Sequence, residues 1–393
     1  MSVPRPRSSW YSSLIVIITL TLLTLAQIGC AGGTKSSGSS SGGSGGGGGT
    51  GGGGNNPSAQ QFVYVSNGAN NTSGYVLNTD GSLTAVSGSP FSVGGSNLAA
   101  DPKGKFLFSL GGTSASNEAV NTDTISSTGS LKVASTVTDS TFAGPVQINP
   151  DGNTLYVGSV SATQDNPGIK VYSIQPGGSL QFTTAIVDQN AGRLSFLSDG
   201  SYAYAAYCFH LDVEIQGFNT ANGGLTVVNN GVPNPGSMGE CPNTVALTPS
   251  GNMLAVAWSD ADNVGPIDNL LTLYSVSSSH SLTPIGNSFP ASGAGVDSVF
   301  DPSGKFFIVA QDNGIGVYQV SQNSATEVPG SPFANGASFN RLTISPAGNF
   351  VVAISSKSNQ VFVFNLNSST GALTEASGSP QSVTTPTDLA IAP

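Results

Sequence analysis

The chain has 393 residues, only 8% of them charged, and its 11 Lys and Arg stand against 21 Asp and Glu for a net charge of −10. A surface this acidic and this poor in lysine argues against nucleic acid or anionic lipid as a binding partner.

The first thirty residues have the features of a bacterial export signal. A basic start precedes an apolar run over 14–29, and Cys30 follows with a small residue behind it. Such an order is typical of signal peptides. Ile28-Gly29-Cys30 resembles a lipobox, which implies a signal over 1–29 and lipidation of Cys30. The exported protein would then be held in the cell envelope, in contact with a membrane through that lipid only. An uncleaved membrane anchor and ordinary secretion are the alternatives.

Residues 30–59 consist mostly of Gly and Ser. Chains of this composition behave as flexible coils, with a span of roughly 25–30 Å at this length, so a tether is predicted here. The tether contains a formal match to the hydrolase motif G-x-S-x-G at 42–46. That motif requires a strand before it and a helix after it, and neither is indicated, so no nucleophile is predicted.

After the tether, a sequence motif built around Pro-x-Gly recurs at intervals of 44 to 53 residues. Its anchors are Pro102, Pro150, Ser198, Pro249, Pro302 and Pro346. Repeats of about 40–50 residues made of short strands are typical of β-propeller blades. Residues 388–393 match the opening of a seventh copy, and 61–68 supply its continuation. The prediction for 60–393 is therefore an all-β, seven-bladed propeller of four-stranded blades. One C-terminal and three N-terminal strands share the blade that closes the ring.

The first strand of each repeat alternates large apolar residues with small or polar ones, and the second strand is apolar on both faces. First strands surround the central axis of a propeller, so the residues that open them gather at one end of the channel. These residues, five before each anchor, are Asn97, Pro145, Arg193, Thr244, Asp297, Arg341 and Asp388.

The charged members of this ring predict a ligand-binding site. Arg341 falls between Asp297 and Asp388 of the flanking blades, and Arg193 adds a second guanidinium that can hold a carboxylate or phosphate. Asn97 completes the predicted ligand-binding set. The expected partner is a small molecule or a protein at the channel face. The alternative is an ion-paired cluster that only satisfies buried polar groups.

Other polar residues of the same face are candidates for chemistry. Candidates for a catalytic role are Arg193, Arg341, Asp297, Asp388 and His210. Candidates for binding Ca²⁺, in the acidic stretch 259–269, are Asp260, Asp262 and Asp268. That stretch lacks the spacing of a calcium loop, and solvated acidic loops explain it equally well. No Cys/His cluster indicates zinc, so no metal and no cofactor is predicted.

Two cysteines lie within the propeller. Cys208 ends the second strand of one blade, and Cys241 lies just ahead of the first strand of the next. Those two strand ends lie on the same face of adjacent blades, and an exported chain permits oxidation. We therefore predict a structural disulfide between them, with two free thiols as the alternative. The protein is expected to be a monomer.

The repeats resemble the seven-bladed lactonase family. This family includes 6-phosphogluconolactonase-like and carboxymuconate-cyclase-like propellers and the related YVTN repeats. The closest matches are Asn149-Pro150-Asp151-Gly152, Leu155-Tyr156-Val157 and Tyr64-Val65-Ser66-Asn67, and the resemblance extends from about Gln61 onward. It implies a lactonase, a carboxylic ester hydrolase. Family members place a His at a first-strand opening, whereas none of the seven openings here is a His.

Two hypotheses of function follow. In the first, the protein is a membrane-tethered, lactonase-like propeller that binds a ligand or a protein at its channel face without catalysis. In the second, it is an exported lactonase that hydrolyses a sugar lactone. A structural array at the cell surface is a third possibility.

Overall fold

The computed structural model describes residues 60–68, 71–114, 117–160, 167–187, 191–209, 212–233, 240–260 and 269–393. These residues form seven antiparallel sheets and one turn of 3-10 helix, Ala221–Gly223. Within them no helix is long and apolar enough to cross a membrane. The predicted signal over 1–29, lipidated Cys30 and tether over 30–59 lie outside this part of the chain.

Strands are numbered in chain order, and blades from the one that contains the first strand. The first three strands, which belong to blade 1, are β1 (Gln61–Asn67), β2 (Thr72–Leu77) and β3 (Leu83–Ala85). The strands of blade 2 are β4 (Asn97–Ala100), β5 (Phe106–Ser114), β6 (Asn117–Ile125) and β7 (Leu131–Thr138). The strands of blade 3 are β8 (Phe142–Ile148), β9 (Thr154–Val160), β10 (Pro167–Ile174) and β11 (Leu180–Val187). The strands of blade 4 are β12 (Ala191–Phe196), β13 (Tyr202–Phe209), β14 (Asp212–Asn219) and β15 (Thr226–Pro233).

The remaining blades follow the same order, with two short additional strands. The strands of blade 5 are β16 (Glu240–Leu247), β17 (Met253–Asp260), β18 (Leu270–Val276), β19 (Leu282–Pro284) and β20 (Phe289–Pro290). The strands of blade 6 are β21 (Gly295–Phe300), β22 (Phe306–Gln311), β23 (Gly314–Val320) and β24 (Ala325–Glu327). The strands of blade 7 are β25 (Arg341–Ile344), β26 (Phe350–Ser355), β27 (Gln360–Leu366), β28 (Leu373–Glu375) and β29 (Gln381–Ser382).

The last strand, β30 (Pro386–Ala392), closes the ring. It pairs antiparallel with β1, and blade 1 has the strand order β3-β2-β1-β30. The register sets Phe62 opposite Ala392 and Val65 opposite Leu389. The predicted fold class is confirmed: the protein is all-β, with seven four-stranded blades and one blade shared by N- and C-terminal strands.

The recurring Pro-x-Gly motif forms the turn between the first and second strands. In blade 2 the N–H of Gly104 donates to the carbonyl of Asp101 over 2.8 Å, and the equivalent glycines of the next five blades have φ between +69° and +74°. Residues with a Cβ avoid this region of φ, which is why glycine recurs at that position.

The hydrophobic core lies between blades. Apolar clusters fill the interfaces between adjacent sheets; at blades 6 and 7, for example, Phe306, Ile308, Phe339 and Phe364 pack together. All six residues of β22 are buried, because this second strand is covered on both faces by neighbouring blades. This burial on both faces explains why the second strands are purely apolar in the sequence.

The outermost strands differ in length around the ring, which the sequence patterns did not predict. In blades 2, 3 and 4 the outermost strand has eight residues, whereas in blades 1, 5, 6 and 7 it has three.

One third-strand position breaks the repeat. Six blades place an aromatic residue where the third strand pairs with the beginning of the second. These residues are Tyr75, Tyr172, Phe218, Tyr274, Tyr318 and Phe364. Blade 2 has Asp123 there, opposite Leu107, and Leu107 packs in the cluster that joins blade 2 to blade 1. Asp123 is fully buried, and neither carboxylate oxygen has a hydrogen-bond partner within the described structure.

Candidate functional site

The first strands enclose a cavity of about 330 Å³ at the centre of the ring. This volume is at the lower end of the range for small-molecule pockets, roughly 300–1,000 Å³. Its polar lining comes from the first strands and first turns of six blades, all except blade 2. Its polar side chains include Gln147, Arg193, Thr244, Asp297, Ser298 and Asp388.

The strongest contact of the site joins Arg193 to Asp388. Arg193 Nη2 lies 2.6 Å from Asp388 Oδ2, and the aspartate side chain is only 1% exposed. Burial lowers the pKa of Arg193, but the charges of Asp388 and Asp297 outweigh it, so its pKa is raised overall. The guanidinium therefore stays charged in the channel.

Asp388 is fully engaged by the protein. Its Oδ2 also accepts from the backbone N–H of Leu98 over 2.9 Å, and its Oδ1 accepts from the N–H of Leu389 over 2.9 Å. Arg341 Nε lies 3.7 Å from the same Oδ1. Both oxygens thus face N–H donors, and the charge of Asp388 is held by two arginines.

The pairing differs in part from the order of blades, in which Arg341 falls between Asp297 and Asp388. Asp388 is bound more closely by Arg193, which reaches it across the channel from a non-adjacent blade. Among the described ion pairs none includes Asp297. A long arginine side chain can span a narrow channel, so the order of blades around the ring does not decide which charges meet.

Asp297 differs from Asp388 in having one oxygen available. Its Oδ2 accepts from the N–H of Leu342 over 3.1 Å, and no group of the described residues donates to its Oδ1. Burial raises the pKa of Asp297; Arg193, Arg341 and the Leu342 hydrogen bond oppose this, and the charge of Asp388 adds to it. A buried carboxylate with a raised pKa, facing a cavity, is a candidate for proton transfer.

The ring residues also hold adjacent blades together. A first strand is the inner edge of its sheet, so half of its backbone N–H groups have no strand to pair with. Asp388 accepts such a donor from Leu98 of blade 2, and Asp297 accepts one from Leu342 of blade 7. Gln147 both accepts from the N–H of Leu194 over 2.7 Å and donates to its carbonyl over 3.0 Å.

Sequence analysis missed Gln147 and Ser298. Gln147 holds the residue that follows Arg193, and Ser298 lies 2.8 Å from the hydroxyl of Thr244 inside the cavity. Both are polar residues on first strands. The small or polar positions of those strands were interpreted as packing around the axis, although some of them are channel lining.

Asn97 and Pro145 do not join the charged cluster. The Asn97 side chain donates to Ser96 Oγ over 3.1 Å and does not line the main cavity, and Pro145 borders a separate cavity of about 10 Å³. Arg193, Asp297, Arg341 and Asp388 are thus the ring residues that the structure brings together.

Several other candidates lie outside what the structure describes. These are His210, Asp262 and Asp268, together with the side chains of Asp260 and Cys208. In the described residues no group of three or more His, Cys, Asp or Glu is placed to bind a metal. Cys241 is disulfide-bonded. Its predicted pairing with Cys208 stays a prediction.

Part of the chain matches a known protein family. Residues 275–391 match the family model described as lactonase, 7-bladed beta-propeller. No match was found among curated proteins.

Similar solved structures share the whole propeller. A protein from Bacteroides uniformis, provisionally assigned as a 6-phosphogluconolactonase, has a TM-score of 0.68 at 18% identity, over 85% of this chain and 100% of its own. The periplasmic gluconolactonase of Pseudomonas aeruginosa has a TM-score of 0.66 at 17% identity, over 85% and 99%. At these identities the likeness concerns the fold. Together with the family match, it makes this chain a lactonase-like, seven-bladed β-propeller.

Proposed function

We propose that the central channel hydrolyses a sugar lactone, with Asp297 as the general base. The observation that carries the proposal is the state of Asp297. It is buried at the cavity wall with a raised pKa, it has one oxygen without a protein donor, and it lies in the field of Arg193 and Arg341.

The chemistry needs a base and a cation, and the site has both. Asp297 Oδ1 would take a proton from a water molecule as that water adds to the lactone carbonyl carbon. The oxyanion that forms would be stabilised by the guanidinium of Arg193 or Arg341. The carbonyl then reforms as the bond to the ring oxygen breaks, and Asp297 returns the proton to that oxygen. Lactone and water thus give a hydroxy acid.

Asp388 is not suited to the same role. Its two oxygens accept from Arg193, Leu98 and Leu389, and Arg341 faces it as well. A carboxylate held in this way has both of its oxygens occupied by protein donors. Asp388 therefore positions the arginines, and Asp297 is the group left to accept a proton.

The family match and the names of the similar structures agree with a lactonase. Both proteins named above are assigned to gluconolactone-type substrates, one with and one without a phosphate. The activity would lie outside a bacterial membrane, given the export signal and the Cys30 lipid site predicted from the sequence.

Ligand binding without catalysis is the second candidate. It is favoured by the Arg193–Asp388 pair, because buried ion pairs at a channel mouth also serve to join blades. The ring lacks a histidine, the residue that most often transfers protons in enzymes.

Lactone hydrolysis by the purified protein tests both candidates. Proton release would be followed with a pH indicator after subtraction of the spontaneous reaction. Asp297→Asn keeps an oxygen that can accept from Leu342 but removes the base, so we expect kcat to fall at least roughly 100-fold. The matched control is Asp199→Asn, because Asp199 lies in an exposed turn and bonds to Ser201.

Two outcomes would count against the hydrolase. Retention of activity by Asp297→Asn would remove Asp297 from the mechanism. Absence of turnover on every lactone tried would leave the channel as a ligand-binding site.

A further inference from the structure

Positive charge is scarce in this propeller, and its distribution bears on the choice of ligand. Between residues 60 and 393 the chain has eight basic residues, and all of their side chains belong to the described part. They are Lys103, Lys105, Lys132, Lys170, Arg193, Lys305, Arg341 and Lys357.

Three of the lysines form hydrogen bonds with carbonyl groups of turns. Lys103 Nζ donates to the carbonyl of Asp151 over 3.3 Å, Lys105 Nζ to that of Pro176 over 2.6 Å, and Lys305 Nζ to that of Ser369 over 2.7 Å. These lysines follow the first strands, at the end of the channel opposite to the ring of charges.

The other three lysines are also absent from the cavity lining. Lys170 is paired with Asp139. Lys132 is exposed on the outermost strand of blade 2, and Lys357 is exposed in the hairpin between β26 and β27. Among the lysines and arginines of the propeller, all of which the structure describes, only the two arginines bring positive charge to the channel.

The positive charge of the two arginines is already balanced by two aspartates. Arg193 and Arg341 share the neighbourhood with Asp297 and Asp388, so the four groups sum to zero when all are ionised. An anionic ligand would therefore meet no uncompensated cation, and it would approach the Asp297 carboxylate. A phosphate held without such a cation loses its hydration and gains no equivalent charge-assisted hydrogen bonds.

We propose that the channel takes an uncharged, unphosphorylated sugar lactone and discriminates against phosphorylated or carboxylated sugars. This inference rests on the proposed lactonase function and specifies its substrate class. Arg193 lines the cavity, and its Nε–H makes no hydrogen bond within the described structure. This N–H can donate to a hydroxyl or carbonyl oxygen of a neutral ligand, which needs no net positive charge.

The test compares two matched pairs of compounds. Hydrolysis of glucono-δ-lactone and of its 6-phosphate is measured first, and we expect kcat/KM to be at least about tenfold higher for the neutral lactone. Equal rates, or a preference for the phosphate, would overturn the inference and leave the hydrolase intact.

Calorimetric titration with the corresponding lactam and its 6-phosphate separates the inference from the proposed activity, because lactams resist hydrolysis. If neither lactone is turned over, the lactonase proposal fails. Binding of the neutral lactam alone would still support the charge argument. Binding of the phosphorylated lactam with equal or higher affinity, or of neither compound, would refute it.

A charge variant tests the cause of the discrimination. Asp388→Asn would release Arg193 but removes a buried partner, and it can fail to fold for that reason. Asp297→Asn removes one negative charge and keeps the bond to Leu342. We expect it to strengthen binding of the phosphorylated lactam about tenfold while Asp199→Asn has no effect. Unchanged affinity in Asp297→Asn would show that charge balance does not set the preference.

Discussion

Asp123 offers the sharpest test of how blades 1 and 2 are joined. Six blades have an aromatic residue at its position, and Asp123 is fully buried with both oxygens unpartnered in the described structure. Burial raises its pKa from 3.8 to about 7. The folded protein therefore binds this proton more tightly than the unfolded chain does.

The sign of the pH dependence follows from that difference. The stabilisation due to the proton is fully present below about pH 4 and is lost as pH rises to about 7. At 1.36 kcal/mol for each pKa unit, the loss amounts to about 4 kcal/mol, of which about 3 kcal/mol falls between pH 5 and pH 8. Asp123→Asn has no charge to bury, so it should be more stable than the parent protein at pH 8.

Denaturant unfolding of both proteins at pH 5 and pH 8 measures the effect. The difference in the free energy of unfolding between Asp123→Asn and the parent should grow by about 3 kcal/mol over this range. Other carboxyl groups titrate too, but they cancel in the difference. Asp199→Asn serves as the control, since hydrogen bonds to Ser201 lower the pKa of that exposed acid. A difference that stays the same at both pH values would refute the argument and indicate a hydrated, permanently ionised Asp123.

Three further predictions concern the ring and its closure. Arg193→Ala leaves Asp388 buried without its closest partner, so the free energy of unfolding measured in denaturant should fall by about 3 kcal/mol; a change under about 1 kcal/mol would contradict this. Gly129 and Gly378 both have positive φ, +82° and +77°. A Cβ added at Gly129 would clash with the ring of Phe62, whereas one added at Gly378 would enter open space. Gly129→Ala and Gly378→Ala should each lose about 1 kcal/mol to backbone strain, and only Gly129→Ala should lose a further 1–3 kcal/mol to overpacking; equal losses in thermal unfolding would disprove the clash. Deleting 386–393 should abolish cooperative unfolding and expose β1 to aggregation, seen by light scattering, while a soluble, cooperative product would disprove ring closure.

The blade count and ring closure could be predicted because one local requirement repeats. Each turn between first and second strands needs a glycine with positive φ, and second strands covered on both faces must be apolar. Gly104 and the strand Phe306–Gln311 show these two constraints in their plainest form. Both are visible in a single sequence without knowledge of distant contacts.

The charge pairs could be predicted only in part. The position of a residue within its repeat predicts that it lies at the channel mouth, and the structure brings Arg193, Asp297, Arg341 and Asp388 together there. Which arginine meets Asp388 depends on reach across the channel and on side-chain direction, neither of which is encoded in spacing. The free oxygen of Asp297 depends in turn on that choice, since Asp388 takes the closer guanidinium.

Asp123 could have been found from the sequence by aligning the third strands. An acid among six aromatic residues is visible in that alignment. The separate strand patterns concealed it, because one polar residue in a third strand resembles ordinary alternation. Its significance comes from the neighbouring blade, which covers the position completely.

The shared blade has a consequence for the order of events in folding. Blades 2 to 7 are each made from contiguous sequence, so each has all of its strands before β30 becomes available. Blade 1 must wait for β30, and β30 carries Asp388. Until that strand docks, Arg193 has no closest partner and the N–H of Leu98 has no acceptor. The charged site is therefore completed only when β30 docks, and a chain that ends before residue 388 lacks one of its two aspartates.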